Sequence, residues 1–384
     1  MPSTHERLTS VDSLRGIAIL MVLAVHVSGL VTPASEWLSQ ITRMGPRGVQ
    51  LFYVVSAFSL FLSFQRRRTY AGFSYRSYFI RRFARIAPMF WFAMATYLLV
   101  FGMAPNYWAP NGITPSTVAL TASFLNGWSP TKINSIIPGG WSVAIEMTFY
   151  LVLPVCFVLV RTLKAAVIAT CLCLIARYWL CTWEMESIMG SFPDSQQYLP
   201  LAFSWEFWLP AQLPVFMLGI VLFFLREKMT AMQPGVGIFW LGAALALLTA
   251  SSYLHADRFI SSHVVAGLGF VLLALALFDP EARFLDNSVL RKIGEVSFSI
   301  YLLHHLVVHY TGGTIVRALS SLGLGTSGDM PYAIAYVAIT AMSTALAMVT
   351  YRLIEEPSIA LGSRLSERLA TAAPLPPGRP DTAK

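Results

Sequence analysis

About ten apolar stretches of near-membrane length, separated by short polar links, leave this chain few ways to fold. They run over 11–31, 47–65, 84–103, 141–160, 164–182, 208–225, 235–254, 260–278, 293–311 and 331–354. Lipid offers the backbone no hydrogen-bond partner, so such stretches must be helices. The predicted fold class is an all-α polytopic membrane protein, with about ten transmembrane helices in one bundle. Composition agrees: 56% of the residues are hydrophobic and only 12% charged, about half the usual share for a soluble domain. The segment Ser116–Trp128 is too short and polar to span and reads as re-entrant or interfacial. No internal repeat stands out.

The net charge of +8 does not mark a nucleic-acid binder, because the basic residues sit at the ends of the apolar stretches. Placing the N-terminus in the cytoplasm puts Arg66–Arg68, Arg76, Arg81, Arg82, Arg85, Arg161, Lys164, Arg226, Lys228, Arg283, Arg291, Lys292 and Arg352 inside. The opposite loops keep only a few, such as Arg43, Arg47, Lys132, Arg258 and Arg317. This positive-inside bias predicts two cytoplasmic termini. Residues 1–10 are expected as a cytoplasmic N-terminus, 11–360 as the membrane domain and 361–384 as a disordered cytoplasmic tail. The first apolar stretch carries Asp12 and Arg15 and no small-residue cleavage site, so it reads as a retained helix. Cys156, Cys171, Cys173 and Cys181 show no zinc or redox spacing.

Within the bundle, polar residues are costly unless they face a protein interior, so they carry the functional argument. Arg15 and His26 lie on one helix, eleven residues or roughly 16 Å apart, and share a face. Glu146 in Trp141-Ser-Val-Ala-Ile-Glu146 is expected at similar depth to His26, where it would orient the imidazole. In Ser297-Phe-Ser-Ile-Tyr301-Leu-Leu-His304-His305, the spacing puts Ser297, Tyr301 and His304 on one face and turns His305 elsewhere. His255 and His263 read as interfacial residues beside an outer loop. A metal site built from the histidines finds no support in ligand spacing, and none is expected. Arg81, Arg82 and Arg85 form either a topological anchor or a phosphate site, since arginine forks grip phosphate well. Glu355 and Glu356, ending the last stretch, suggest pairing with these inner arginines.

Six pieces, in order, resemble the acyltransferase-3 family of integral membrane acyltransferases. They are Asp12-Ser-Leu-Arg15-Gly16 followed by His26; Phe52-Tyr-Val-Val-Ser56-Ala-Phe58; Arg82-Phe-Ala-Arg85-Ile-Ala-Pro88; Trp141-Ser142 through Glu146 to Tyr150; Ser299-Ile-Tyr301-Leu-Leu-His304; and Glu355-Glu-Pro357. Ala57, Met147 and Glu356 depart from the family's usual glycine, second acid and lysine. The resemblance implies transfer of an acyl group, usually acetyl, from cytoplasmic acyl-CoA to a hydroxyl of a cell-envelope or exported carbohydrate. Acyl-CoA would be a co-substrate, with no cofactor permanently bound. The family's essential pair matches Arg15 and His26.

On this reading Arg81, Arg82 and Arg85 hold the nucleotide phosphates and Arg15 guides the pantetheine arm, whose reach matches the Arg15–His26 separation. His26 acts as general base or takes the acyl group first, and Glu146 orients it. Asp12, Ser56, Trp141, Tyr301 and His304 line the substrate path. The competing class is a transporter or flippase, which usually shows inverted repeats and broken helices.

Overall fold

The computed structural model describes residues 9–68, 74–229, 236–253 and 261–371. His255, Arg258 and the predicted tail Pro374–Lys384 fall outside them. Its helices in chain order are α1 (Thr9–Ser28), α2 (Glu36–Arg43), α3 (Gly48–Arg68), α4 (Tyr75–Phe101), α5 (Pro115–Ala122), α6 (Gly140–Leu159), α7 (Leu163–Met189) and α8 (Tyr198–Ala202). They continue with α9 (Leu209–Met229), α10 (Gly237–Tyr253), α11 (Ser262–Phe278), α12 (Ser288–Glu295), α13 (Ser297–Ser321), α14 (Asp329–Thr350) and α15 (Glu356–Thr371). Each predicted apolar stretch coincides with one helix. Seven helical segments, holding α1, α3, α4, α6, α7, α9 and α14, are long and apolar enough to cross a membrane. The other three stretches fall on α10 and α11, apolar but only 17 residues each, and on α13, whose 25 residues include three histidines.

Burial sorts these helices into an inner and an outer set. The most apolar windows of the α1, α3 and α9 segments are 61%, 72% and 78% buried, whereas that of α7 is 22% buried and offers its apolar surface to lipid. Stacked rings fix the inner set, with Phe149 on Phe216 at 4.0 Å and Phe216 on Tyr53 at 4.3 Å. α1 touches α3, α12, α13 and α14, so its polar face is enclosed by protein.

The contact of α1 with α12 explains the glycine after Arg15. A Cβ on Gly16 would stand 2.3 Å from the Leu290 carbonyl oxygen, and one on Gly294 would stand 1.8 Å from that of Asp12. Both helices approach backbone to backbone, which only glycine permits. Asp286 locks the contact. It accepts hydrogen bonds from Ser13 Oγ (2.6 Å), Thr9 Oγ1 (3.0 Å) and Arg291 Nε (2.8 Å). Burial would push its carboxyl up, but these hydrogen bonds hold it below the usual carboxylate range. Because the clash is with backbone, Gly294→Ala is expected to cost about 3 kcal/mol or more. A lowered thermal midpoint of the purified protein checks this; an unchanged midpoint would show that the two helices can separate freely.

Two sequence expectations are corrected. The tail does not begin at 361: α15 continues to Thr371 and packs along α4, with Gly362 against Ala84 and Ser77 bonded to the Ser366 carbonyl. Its amphipathic pattern, with Leu365 and Arg368 among polar residues, is masked by the Pro- and Ala-rich composition that follows. α4 also starts nine residues before the predicted stretch 84–103, so Arg81 and Arg82 lie on the same helix as Arg85.

Candidate active site

Arg15 stands in the first half of α1, with Asp12 one turn earlier offering its Oδ1 at 3.4 Å. Around it gather Arg82 and Arg85 from α4, three residues apart on one face, and Glu146 from α6; all four lie within electrostatic range of Arg15. Glu146 Oε1 accepts from Ser56 Oγ of α3 at 2.5 Å and from Tyr150 OH one turn below at 2.7 Å. A further acid comes from the far end of the chain. A π-helical turn at Tyr351–Glu355 joins α14 to α15 and turns Glu355 inward, where it is 1% exposed, takes a hydrogen bond from Ser299 and lies in electrostatic range of Arg85. Glu355 thus faces the inner arginines with Ser299 as its hydrogen-bond partner, while Glu356 is exposed.

Arg15, Ser56, Arg82, Arg85, Glu146 and Tyr301 line one narrow cavity. It shares Arg15, Ser59, Arg82 and Arg85 with an open mouth at the end of the bundle where α1 starts, bordered also by Asp12 and Arg66. Arg81 is not among the lining residues. A step of one residue turns its side chain about 100° from that of Arg82, and its Nη1 donates to Ser366 Oγ of α15 at 2.6 Å. Its sequence assignment to the phosphate site is therefore corrected: it fastens α15 to α4.

The inner end of this cavity closes on Tyr301. Its hydroxyl donates to the Gly139 carbonyl at 3.0 Å and accepts from Ser142 Oγ at 2.8 Å. Gly139 has φ +81°, and a Cβ there would sit 2.8 Å from the Tyr301 hydroxyl, so the start of α6 requires glycine. Beyond this partition lies a second, wider cavity, at the opposite end of the bundle. It is walled by aromatic rings such as Tyr97, Phe101 and Trp108, by Asn106 and Asn134, and by His305.

His26 occupies the last turn of α1, beside the partition. Its ring centroid lies 5.0 Å from that of His304 and 4.2 Å from that of His305. His304 is 1% exposed, and its Nδ1 lies 2.8 Å from the Tyr301 carbonyl oxygen. The sequence expectation that His305 turns away is corrected: His26 stands between adjacent positions of α13 and meets both rings. The pairing of Glu146 with His26 is corrected as well. α1 ends at Ser28, so His26 is about 3 Å from its terminus, whereas Glu146 lies about 9 Å inside α6, at 1.5 Å per residue. Glu146 belongs to the arginine cluster, with Ser56 and Tyr150 as its partners. Trp141 stacks on Phe207 at 4.5 Å, next to Ser142, which lines the narrow cavity. His263, expected at an interface, is 5% exposed.

The bundle thus carries a basic mouth at one end, a histidine cluster near the other and a cavity at each. The comparisons identify the class. The family model described as an acyltransferase domain matches residues 8–352, and the chain belongs to this acyltransferase-3 family. It is 28% identical to acyltransferase MdmB of Streptomyces mycarofaciens over 375 residues, 92% of this chain and 90% of that protein. It is 23% identical to the exopolysaccharide production protein ExoZ of Rhizobium meliloti (strain 1021), over 83% of this chain and 91% of that protein. Nodulation protein 10 of Rhizobium leguminosarum bv. viciae is 22% identical over 94% and 96%. The chain is therefore an integral membrane acyltransferase, and the transporter alternative is set aside.

Proposed function

We propose that this protein transfers an acyl group, acetyl in the first instance, from cytoplasmic acyl-CoA to a hydroxyl of a cell-envelope or exported carbohydrate. The observation that carries this reading is the placement, along α1, of Arg15 in a cavity with Arg82 and Arg85 of α4, and of His26 against His305, which lines a second cavity. On this reading the basic end is cytoplasmic, by the positive-inside bias, and the membrane is a bacterial inner membrane. Arg82 and Arg85 bind the phosphates of CoA by charge-assisted hydrogen bonds. Arg15, roughly 16 Å below His26, guides the pantetheine arm along the cavity toward Tyr301. Glu146 and Glu355 hold the arginines in place and balance their charge when no donor is bound. The aromatic and amide walls of the opposite cavity suit a sugar ring, whose faces stack on aromatic surfaces and whose hydroxyls need amide partners. ExoZ, named for exopolysaccharide production, supports a carbohydrate acceptor.

In the reaction, His26 takes the proton of the acceptor hydroxyl as that oxygen attacks the thioester carbonyl. The carbon–sulfur bond breaks, and the imidazolium returns the proton to the departing thiolate. The Tyr301 hydroxyl, at the partition, would steady the carbonyl oxygen by turning its hydrogen away from the Gly139 carbonyl.

Release of free thiol from acetyl-CoA by the purified protein tests this reading. Slow hydrolysis that depends on His26 is expected, and its absence would contradict acyl-CoA as donor. Glu146→Gln refines the test. With Glu146 in the donor site rather than beside His26, its loss should raise KM for acetyl-CoA and leave the midpoint of the pH–rate profile in place; a displaced midpoint would restore Glu146 as the partner of His26.

A further inference from the structure

The three histidines at the partition form more than a base and its neighbours. One ring nitrogen from each lies within 4.8 Å of those of the other two. His304 Nδ1 faces the carbonyl oxygens of Tyr301 (2.8 Å) and Ile300 (3.2 Å). A ring nitrogen facing a carbonyl carries the hydrogen, so the Nε2 of neutral His304 holds a lone pair. That Nε2 is buried and has no hydrogen-bond partner. A buried acceptor with nothing to accept from is costly and points to an absent partner. A backbone carbonyl holding one imidazole nitrogen while the other is free is also the usual support of a metal-binding histidine.

We propose that His26, His304 and His305 form a binding site for a divalent transition ion of the zinc class. Three imidazoles without carboxylate or thiolate suit zinc, cobalt, nickel or copper and exclude calcium and magnesium, which prefer oxygen. Three protein ligands leave a fourth position for water. His305 lines the opposite cavity, so an ion reaches the site from that end without passing the arginines. Sequence spacing concealed the site, because two ligands are adjacent on α13 and the third is on α1. The ion would occupy the lone pair that His26 needs to take a proton, so the site is inhibitory. Only this inhibitory consequence rests on the proposed role of His26; the binding does not.

Cobalt(II) titration of the full-length purified protein tests the proposal. Visible absorption should rise to saturation at one ion per chain, without the near-ultraviolet band of a sulfur ligand, and zinc should displace it. His305→Gln and His304→Ala should each weaken binding about tenfold or more. The former is the safer variant, since His305 is only partly buried. No saturable binding, thiolate-type absorption, or binding that survives in both variants would overturn the site. Zinc should also suppress thiol release from acetyl-CoA, with recovery on chelation. Binding without suppression would keep the metal site and contradict His26 as the base.

Discussion

His26→Ala is expected to lower acyl transfer by about a hundredfold to ten-thousandfold, the range a positioned general base contributes. Acyl-CoA affinity should change little. His26 stands roughly 16 Å from Arg15 and beyond the Tyr301 partition, so it has no part in holding phosphates. The variant should also fold. Its neighbours His304 and His305 are held by α13, and His304 keeps its backbone partners at 2.8 and 3.2 Å. Calorimetric binding of a non-hydrolysable acyl-CoA analogue, beside steady-state transfer, separates the two effects. Parallel loss of binding and turnover would place His26 in the donor site instead.

Neutralising Arg82 and Arg85 together should produce the converse pattern. A hydrogen bond to a charged group contributes about 1.5–3 kcal/mol, so losing two costs roughly 3 kcal/mol or more, at least about a hundredfold in Kd. The two residues share neighbours, so their single-variant effects should not add. Arg82 and Arg85 line both the mouth and the cavity, whereas Arg81 is tied to Ser366. Arg81→Gln should therefore leave acyl-CoA affinity unchanged and loosen α15. Unaltered affinity in the Arg82/Arg85 double variant would reduce the cluster to a topological anchor.

The bundle was legible in the sequence because lipid imposes one solution on an apolar stretch, and each predicted stretch coincides with a helix. The polar residues themselves were also legible, since Arg15, His26 and Glu146 have no reason to sit in such stretches unless enclosed. Their partners were harder to read. Depth along a helix depends on where it ends, and α1 stops at Ser28 because its chain turns there toward Thr32, which bridges Ser327. That difference of three residues separates Glu146 from His26. The grouping of Arg82 and Arg85 without Arg81 needed the early start of α4, which the polar residues before Arg81 hide. His305 was misassigned for a geometric reason: helical periodicity says which residues share a face, but a ring on a neighbouring helix can stand between two faces. Glu355 was noticed as an acid out of place, yet its inward turn depends on the π-helical step at Tyr351–Glu355, for which the sequence holds no clear signal.

The central claim is that donor and acceptor meet from opposite ends of the bundle at His26. Proteoliposomes of uniform orientation, given radiolabelled acetyl-CoA only at the end where α1 begins and a soluble glycan acceptor only at the other, test it most directly. The account predicts free CoA on the donor side and labelled acetyl ester on the acceptor side, both lost in His26→Ala. Labelled ester only when the acceptor shares the donor's side, or ester formed equally well by His26→Ala, would contradict it.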